Sequence, residues 1–101
     1  MTSTLIRNGR VITATDDYTA DVLMQDGVVR SIGKDLQVGV DVAVIDATGL
    51  YLLPGGVDTH VHMENVVGPT VTCDTFASGT RAAAFGGTTT VVDFALQTAE
   101  D

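Results

Sequence analysis

The sequence pattern changes at Pro54-Gly55-Gly56, and this change limits the fold more than any other feature. Before it, β-branched residues occur in short runs between closely spaced turn residues, a pattern typical of an all-β unit. After it, the chain reads as a strand, a loop, a helix over residues 74–85 and a second strand. A strand-helix-strand succession predicts a βαβ unit with parallel strands. The sequence therefore predicts two regions, residues 1–54 and residues 55–101.

Short antiparallel strands are predicted for the first region. Asn8-Gly9 lies between two apolar runs and suits a two-residue type I′ turn, because both residues tolerate positive φ. Gln25-Asp26-Gly27 occupies the same place in a second predicted hairpin. Further strands are expected at residues 42–45 and 50–53, on either side of a turn at Thr48-Gly49.

The second region is too small to be a complete fold of its kind. One βαβ unit cannot cover both faces of its own strands, and a closed parallel barrel needs about 250 residues. The chain has 101 residues in total. We therefore expect it to be a truncated part of a longer fold.

Composition excludes several classes of function. The chain has 13 acidic and 5 basic residues, a formal charge of −8 and a pI near 4.3. No Lys/Arg cluster is present to neutralise phosphates, which argues against binding to nucleic acid and to anionic membranes. The single cysteine, Cys73, rules out an internal disulfide and fits a reducing compartment. Without a secretory signal or an apolar run of about 20 residues, the sequence predicts a cytoplasmic protein.

A pair of histidines is the main candidate for chemistry. Side chains alternate along a strand, so His60 and His62 should project to the same side. Two neutral imidazoles at a strand end can bind one divalent metal. Asp58 has the same parity, and we expect it to hydrogen-bond or orient a ligand without binding the metal itself. The alternative is a polar strand end that faces water.

Motifs on both sides of the histidines resemble a known family. Residues 52–62, which contain Leu-Pro-Gly-Gly-Val-Asp-Thr-His-Val-His, resemble the motif that opens the barrel in the amidohydrolase superfamily. Residues 74–84 and 86–94 are similar to the matching region of hydantoinases and dihydropyrimidinases. The loop after the histidines looks most like that of bacterial D-hydantoinases, in which it shapes the substrate pocket. The resemblance thus assigns three residues to a substrate-pocket loop: Asn65, Val66 and Val67.

The resemblance implies a fold and an assembly for the parent protein. The parent would be an α/β protein with a TIM-type (β/α)8 barrel and a small β-sandwich domain. Residues 1–54 would form the amino-terminal part of the sandwich, and residues 55–101 would begin the barrel with its first βαβ unit. The chain would be an amino-terminal fragment, and the parent is expected to be a homo-oligomer, a tetramer.

An activity is implied as well, the metal-dependent opening of a hydantoin or dihydropyrimidine ring to an N-carbamoyl amino acid. Family members hold two divalent metals, usually zinc, through a carboxylated lysine, four histidines and an aspartate. His60 and His62 match two of these ligands, whereas the only lysine, Lys34, is a poor match for the bridging lysine. No catalytic residue is assigned within the chain, and the fragment alone is expected to be inactive. Two alternatives remain: another amidohydrolase, such as a deaminase or urease-like hydrolase, and a non-enzymatic β-rich scaffold module.

Overall fold

A computed structural model of the chain describes residues 2–95. The chain divides into two compact units, Met1–Pro54 and Gly55–Asp101. The strands of the first unit are β1 Ser3–Ile12, β2 Asp17–Gln25, β3 Val28–Gly33, β4 Ala43–Asp46 and β5 Tyr51–Leu52. The elements of the second unit are β6 Gly56–Val61, β7 Val66–Val67, β8 Thr70–Val71, α1 Phe76–Phe85 and β9 Thr88–Asp93.

The first unit forms one sheet in the order β3-β2-β1-β4, with β5 also paired to β1. The β1–β2 and β2–β3 pairs are antiparallel, whereas β4 and β5 run parallel to β1. The prediction of antiparallel strands was therefore wrong for β4 and β5. Apolar alternation identifies a strand but not its direction. Here β2 occupies one edge of β1, and both later strands pair with the other edge.

The predicted turn at Asn8-Gly9 was also wrong, because β1 runs through both residues without reversing. Asn8 does adopt a positive φ of 59°, within an irregularity in the register of β1 with β2. Its backbone N–H donates to Oδ1 of Asp21 over 3.0 Å, and its Nδ2 donates to Oδ1 of Asp46 over 3.3 Å. These long-range partners hold Asn8 in a bulge rather than in a hairpin turn.

The second predicted hairpin is confirmed. Asp26 and Gly27 have φ values of 50° and 81°, and Gln25 pairs with Val28 across them. Two residues with positive φ match the right-handed twist of the strands that they connect.

The core of the first unit is small and includes a buried carboxylate. Leu5 is fully buried, and a cluster of Val11, Ala20 and Val22 packs with Met24 and Leu52. Asp21 is buried beside Ala20, and its two oxygens accept the N–H groups of Asn8 and Leu36, each over 3.0 Å. The hydrogen bond from Asn8 is the main reason that the pKa of Asp21 lies below its usual value, against the opposing effect of desolvation.

The second unit contains the predicted βαβ unit. β6 and β9 pair in parallel, and α1 lies between them in sequence. Thr75 caps α1: its side chain accepts the N–H of Ser78, and the Ser78 hydroxyl accepts the N–H of Thr75. The helix ends at Gly86-Gly87, as expected from the sequence. Among the described residues, no helix has the length and hydropathy needed to cross a membrane.

One element in this unit was not predicted. The loop after the histidines contains a small hairpin, β7–β8, in which Val66 pairs with Val71 and Val67 with Thr70. Gly68, with a φ of 57°, lies at its turn. Strands of two residues are too short to produce a recognisable alternation, so the sequence pattern indicated only a loop.

Candidate metal centre

The two predicted metal ligands converge at the end of β6. His60 lies within the strand, and His62 is the first residue after it. Their Nε2 atoms are 3.1 Å apart, and the ring planes meet at 69°. Both side chains are exposed. The structure therefore directs the same nitrogen of each imidazole to one point in solvent.

This separation fits two ligands of one tetrahedral ion. Zn–N bonds of 2.0–2.1 Å at the tetrahedral angle place two nitrogens about 3.3 Å apart. Two unprotonated nitrogens at 3.1 Å would face each other with their lone pairs, so either a proton or a cation must lie between them. Among the described residues, no group of three or more His, Cys, Asp or Glu side chains could hold a metal. A tetrahedral ion bound by the pair would need further donors.

Asp58 contacts the backbone of one histidine. Its Oδ1 accepts the backbone N–H of His60 over 3.1 Å. The bond spans two residues and restrains the strand where it carries the ligand. The predicted role of Asp58, orienting a ligand without binding the metal, stays a prediction, and the contact found here is to the main chain of His60 rather than to its ring.

The three residues of the predicted pocket loop have different surroundings. Asn65 is buried, and its Nδ2 lies 3.0 Å from Nδ1 of His62. Val66 and Val67, on β7, are 64% and 58% exposed. Asn65 therefore contacts a candidate ligand, whereas the two valines offer apolar surface to solvent.

Phe94 lies beside the histidine pair but was not among the site residues predicted from the sequence. Its ring stacks on His62 with a centroid distance of 4.8 Å and an angle of 23°, and it lies 4.9 Å from the ring of His60. A signal was available, because Phe94 follows β9, the parallel neighbour of β6, and parallel strands end at the same edge of a sheet.

Met63, the residue after His62, is hydrogen-bonded to β9 and packs on α1. Oδ2 of Asp93 accepts the backbone N–H of Met63 over 3.0 Å. The Met63 side chain covers Gly79 of α1, where an added Cβ would lie 2.9 Å from the Met63 sulfur. A Cβ at position 79 would therefore require the flexible Met63 side chain to move.

Glu64 links the same segment to the amino terminus of α1. Its backbone adopts a φ of 51°, uncommon for a residue with a long side chain. Its Oε1 accepts the N–H of Phe76, and its own N–H donates to the carbonyl of Asp74, each over 2.9 Å. A carboxylate is favourable at this end of a helix, where free N–H groups carry partial positive charge.

Comparison with known proteins shows which enzymes the chain is similar to. No family model matches the chain. It is 57% identical to the D-hydantoinase of Geobacillus stearothermophilus over 91% of its length, and 53% identical to that of Streptomyces coelicolor over 93%. The chain is a homologue of the D-hydantoinases and dihydropyrimidinases.

The structural comparison agrees with the sequence comparison. The chain superposes on the crystal structure of the dihydropyrimidinase from Brevibacillus agri with a TM-score of 0.90 and 56% identity, over 98% of its length. It spans about a fifth of these relatives: 19% and 21% of the two D-hydantoinases and 21% of the dihydropyrimidinase. The expected family and fold class are confirmed for the segment that the chain covers.

Proposed function

We propose that this chain is part of a metal-dependent hydrolase that opens a cyclic amide, a hydantoin or dihydropyrimidine ring, to an N-carbamoyl amino acid. The convergence of the His60 and His62 Nε2 atoms at 3.1 Å is the observation that carries the proposal. The names of the relatives supply the reaction class, since they are hydantoinases and a dihydropyrimidinase.

In this proposal His60 and His62 hold a divalent metal through Nε2, as two ligands of a site with two zinc ions. The other ligands would come from residues beyond those described. Zinc bound there would polarise the ring carbonyl and lower the pKa of water. We also propose that the parent enzyme is a homotetramer in the cytoplasm.

The surrounding residues orient the pair and border the substrate. Asp58 restrains the backbone of His60, and the ring of Phe94 packs on both imidazoles and limits their rotation. Val66 and Val67 expose apolar surface on β7, next in sequence to Asn65. We propose that these two valines contact the substituent of the substrate ring, with van der Waals contact as the source of selectivity.

The test is substitution of the ligands in the full-length protein that contains this chain. His60→Ala and His62→Ala should each abolish ring hydrolysis and lower the zinc content of the purified protein. Asp58→Asn should reduce activity by only about 10–100-fold, since it removes a supporting contact. Val71→Ala, an exposed change on β8, is the control and should keep its zinc.

Three outcomes bear on the alternatives. Unchanged hydrolysis and zinc in the histidine variants would show that the pair does not bind metal, which favours a scaffold role. Loss of zinc with turnover of an exocyclic amine or of urea, but not of a cyclic amide, would indicate another amidohydrolase. Loss of zinc together with loss of cyclic-amide hydrolysis supports the proposal.

A further inference from the structure

The backbone N–H, the backbone carbonyl and the side chain of Asn65 all make hydrogen-bond contacts. Its backbone N–H donates to the Thr72 hydroxyl, and its carbonyl accepts the Thr72 N–H, each over 2.9 Å. Its side chain is buried, with 8% of the residue exposed, and its Nδ2 lies 3.0 Å from Nδ1 of His62. A polar side chain buried in this way needs a hydrogen-bond partner, and here the partner is the ring of a candidate metal ligand.

The contact at Nδ1 determines which nitrogen of His62 is free. A neutral imidazole carries one proton, so Nε2 has a lone pair for a metal only when the proton is on Nδ1. An N–H at Nδ1 then needs an acceptor. Nδ1 of His62 lies 3.0 Å from Nδ2 of the Asn65 amide, and Nε2 of His62 faces Nε2 of His60.

A carboxamide can serve both tautomers of the ring. It carries a donor and an acceptor of nearly equal shape, and a rotation of 180° about its last bond exchanges them. After that rotation Oδ1 of Asn65 would accept from Nδ1–H of His62, and the Nε2 lone pair would be free. A carboxylate at this position would favour only the Nδ1–H form, and a hydrocarbon would favour neither.

We propose that Asn65 is a positioning residue whose amide fixes the ring of His62 through Nδ1. Oδ1 of Asn65 would accept from Nδ1–H of His62 when Nε2 binds metal. This inference rests on the proposed function, and it reassigns Asn65 from the substrate pocket to the support of a ligand.

The test measures zinc affinity in the full-length protein by competition with a chromophoric chelator. Asn65→Leu should weaken binding by about 10–100-fold, the usual effect of losing the partner of a ligating histidine. Asn65→Asp should bind at least as tightly as the parent. If both variants weaken binding equally, the residue acts through packing and the proposal is wrong. If His62→Ala keeps its zinc, the proposed function itself fails. If His62→Ala loses zinc and Asn65→Leu does not, only the role of Asn65 fails.

Discussion

The carboxylate of Asp93 accepts the backbone N–H of Met63 over 3.0 Å, and its other oxygen accepts the N–H of Phe94 over 2.7 Å. One side chain at the end of β9 therefore restrains the residue after His62 and also Phe94, whose ring stacks on His62 and lies beside His60. The carboxyl ends of β6 and β9 are joined here by a side chain, beyond the last backbone pairing of Val61 with Asp93.

Substitution of Asp93 should loosen the histidine pair without removing a metal ligand. Asp93→Ala should lower the free energy of unfolding by about 1 kcal/mol, the net value of a typical hydrogen bond, and should weaken zinc binding in the full-length protein. Asp93→Asn keeps one acceptor and should have a smaller effect. Chemical denaturation and chelator competition would measure these changes. Unaltered zinc affinity in Asp93→Ala would show that the bond does not position His62.

Gly55 should tolerate no side chain, because a Cβ added there would lie closer than 3.0 Å to three atoms of the Thr89 side chain. Gly55→Ala should lower the free energy of unfolding by about 1–3 kcal/mol, the usual effect of overpacking. Gly39→Ala is the matched control, since nothing lies within 4 Å of its added Cβ. Denaturant unfolding of the two variants would decide. Equal stability would mean that β6 and β9 can separate at this point at no cost.

The buried carboxylate of Asp21 should make stability fall in acid. Its pKa is lowered in the folded chain, chiefly by the hydrogen bond from Asn8, so the folded state favours the ionised form. That contribution is complete above the unfolded pKa, about 3.9, and is lost as the pH falls through the lower folded value. Asp21→Asn should thus lower the urea midpoint at pH 7, and its difference from the parent should shrink below about pH 4. Asp41→Asn, at an exposed position, is the control. A difference that does not vary between pH 2 and 7 would contradict this assignment.

The 101-residue chain by itself should bind zinc weakly and should not measurably hydrolyse hydantoin or dihydrouracil. Two imidazoles satisfy half of a tetrahedral ion, and the described residues contain no further cluster of ligands. Titration calorimetry with zinc at neutral pH would measure the affinity, with a His60→Ala/His62→Ala double variant as the control. One-to-one binding that survives a moderate chelator would reveal a ligand set beyond the described pair.

The same chain should self-associate at micromolar concentrations. β6 and β9 form a two-stranded sheet among the described residues, and Val57 and Val92 are half or more exposed on it. Open strand edges beside exposed apolar side chains favour association with other chains. Size-exclusion chromatography with light scattering would show a mass above that of the monomer. A monodisperse monomer with strong amide protection along β6 and β9 would contradict this expectation.

Local signals in the sequence predicted a large part of the fold. Asp26-Gly27 determined its own hairpin, because both residues favour positive φ. Thr75 and Gly86 cap the two ends of the helix, and capping depends on residues within one turn. The alternation that placed His60 and His62 on one side of a strand end also followed from sequence, since side chains in a strand repeat every two residues.

Only the tertiary structure decided which residues surround the histidines. Asn8 carries the same local signal as Asp26, yet its contacts with Asp21 and Asp46, distant in sequence, place it in a bulge. The contacts of His62 with Asn65 and Phe94 likewise depend on a hairpin of two-residue strands and on the parallel pairing of β6 with β9. The sequence by itself determined the elements, the turn at Asp26-Gly27 and the two converging histidines, because these depend on short-range sterics and periodicity. Strand direction, the bulge and the partners of His62 depend on pairing between distant segments, which local residue preferences do not encode.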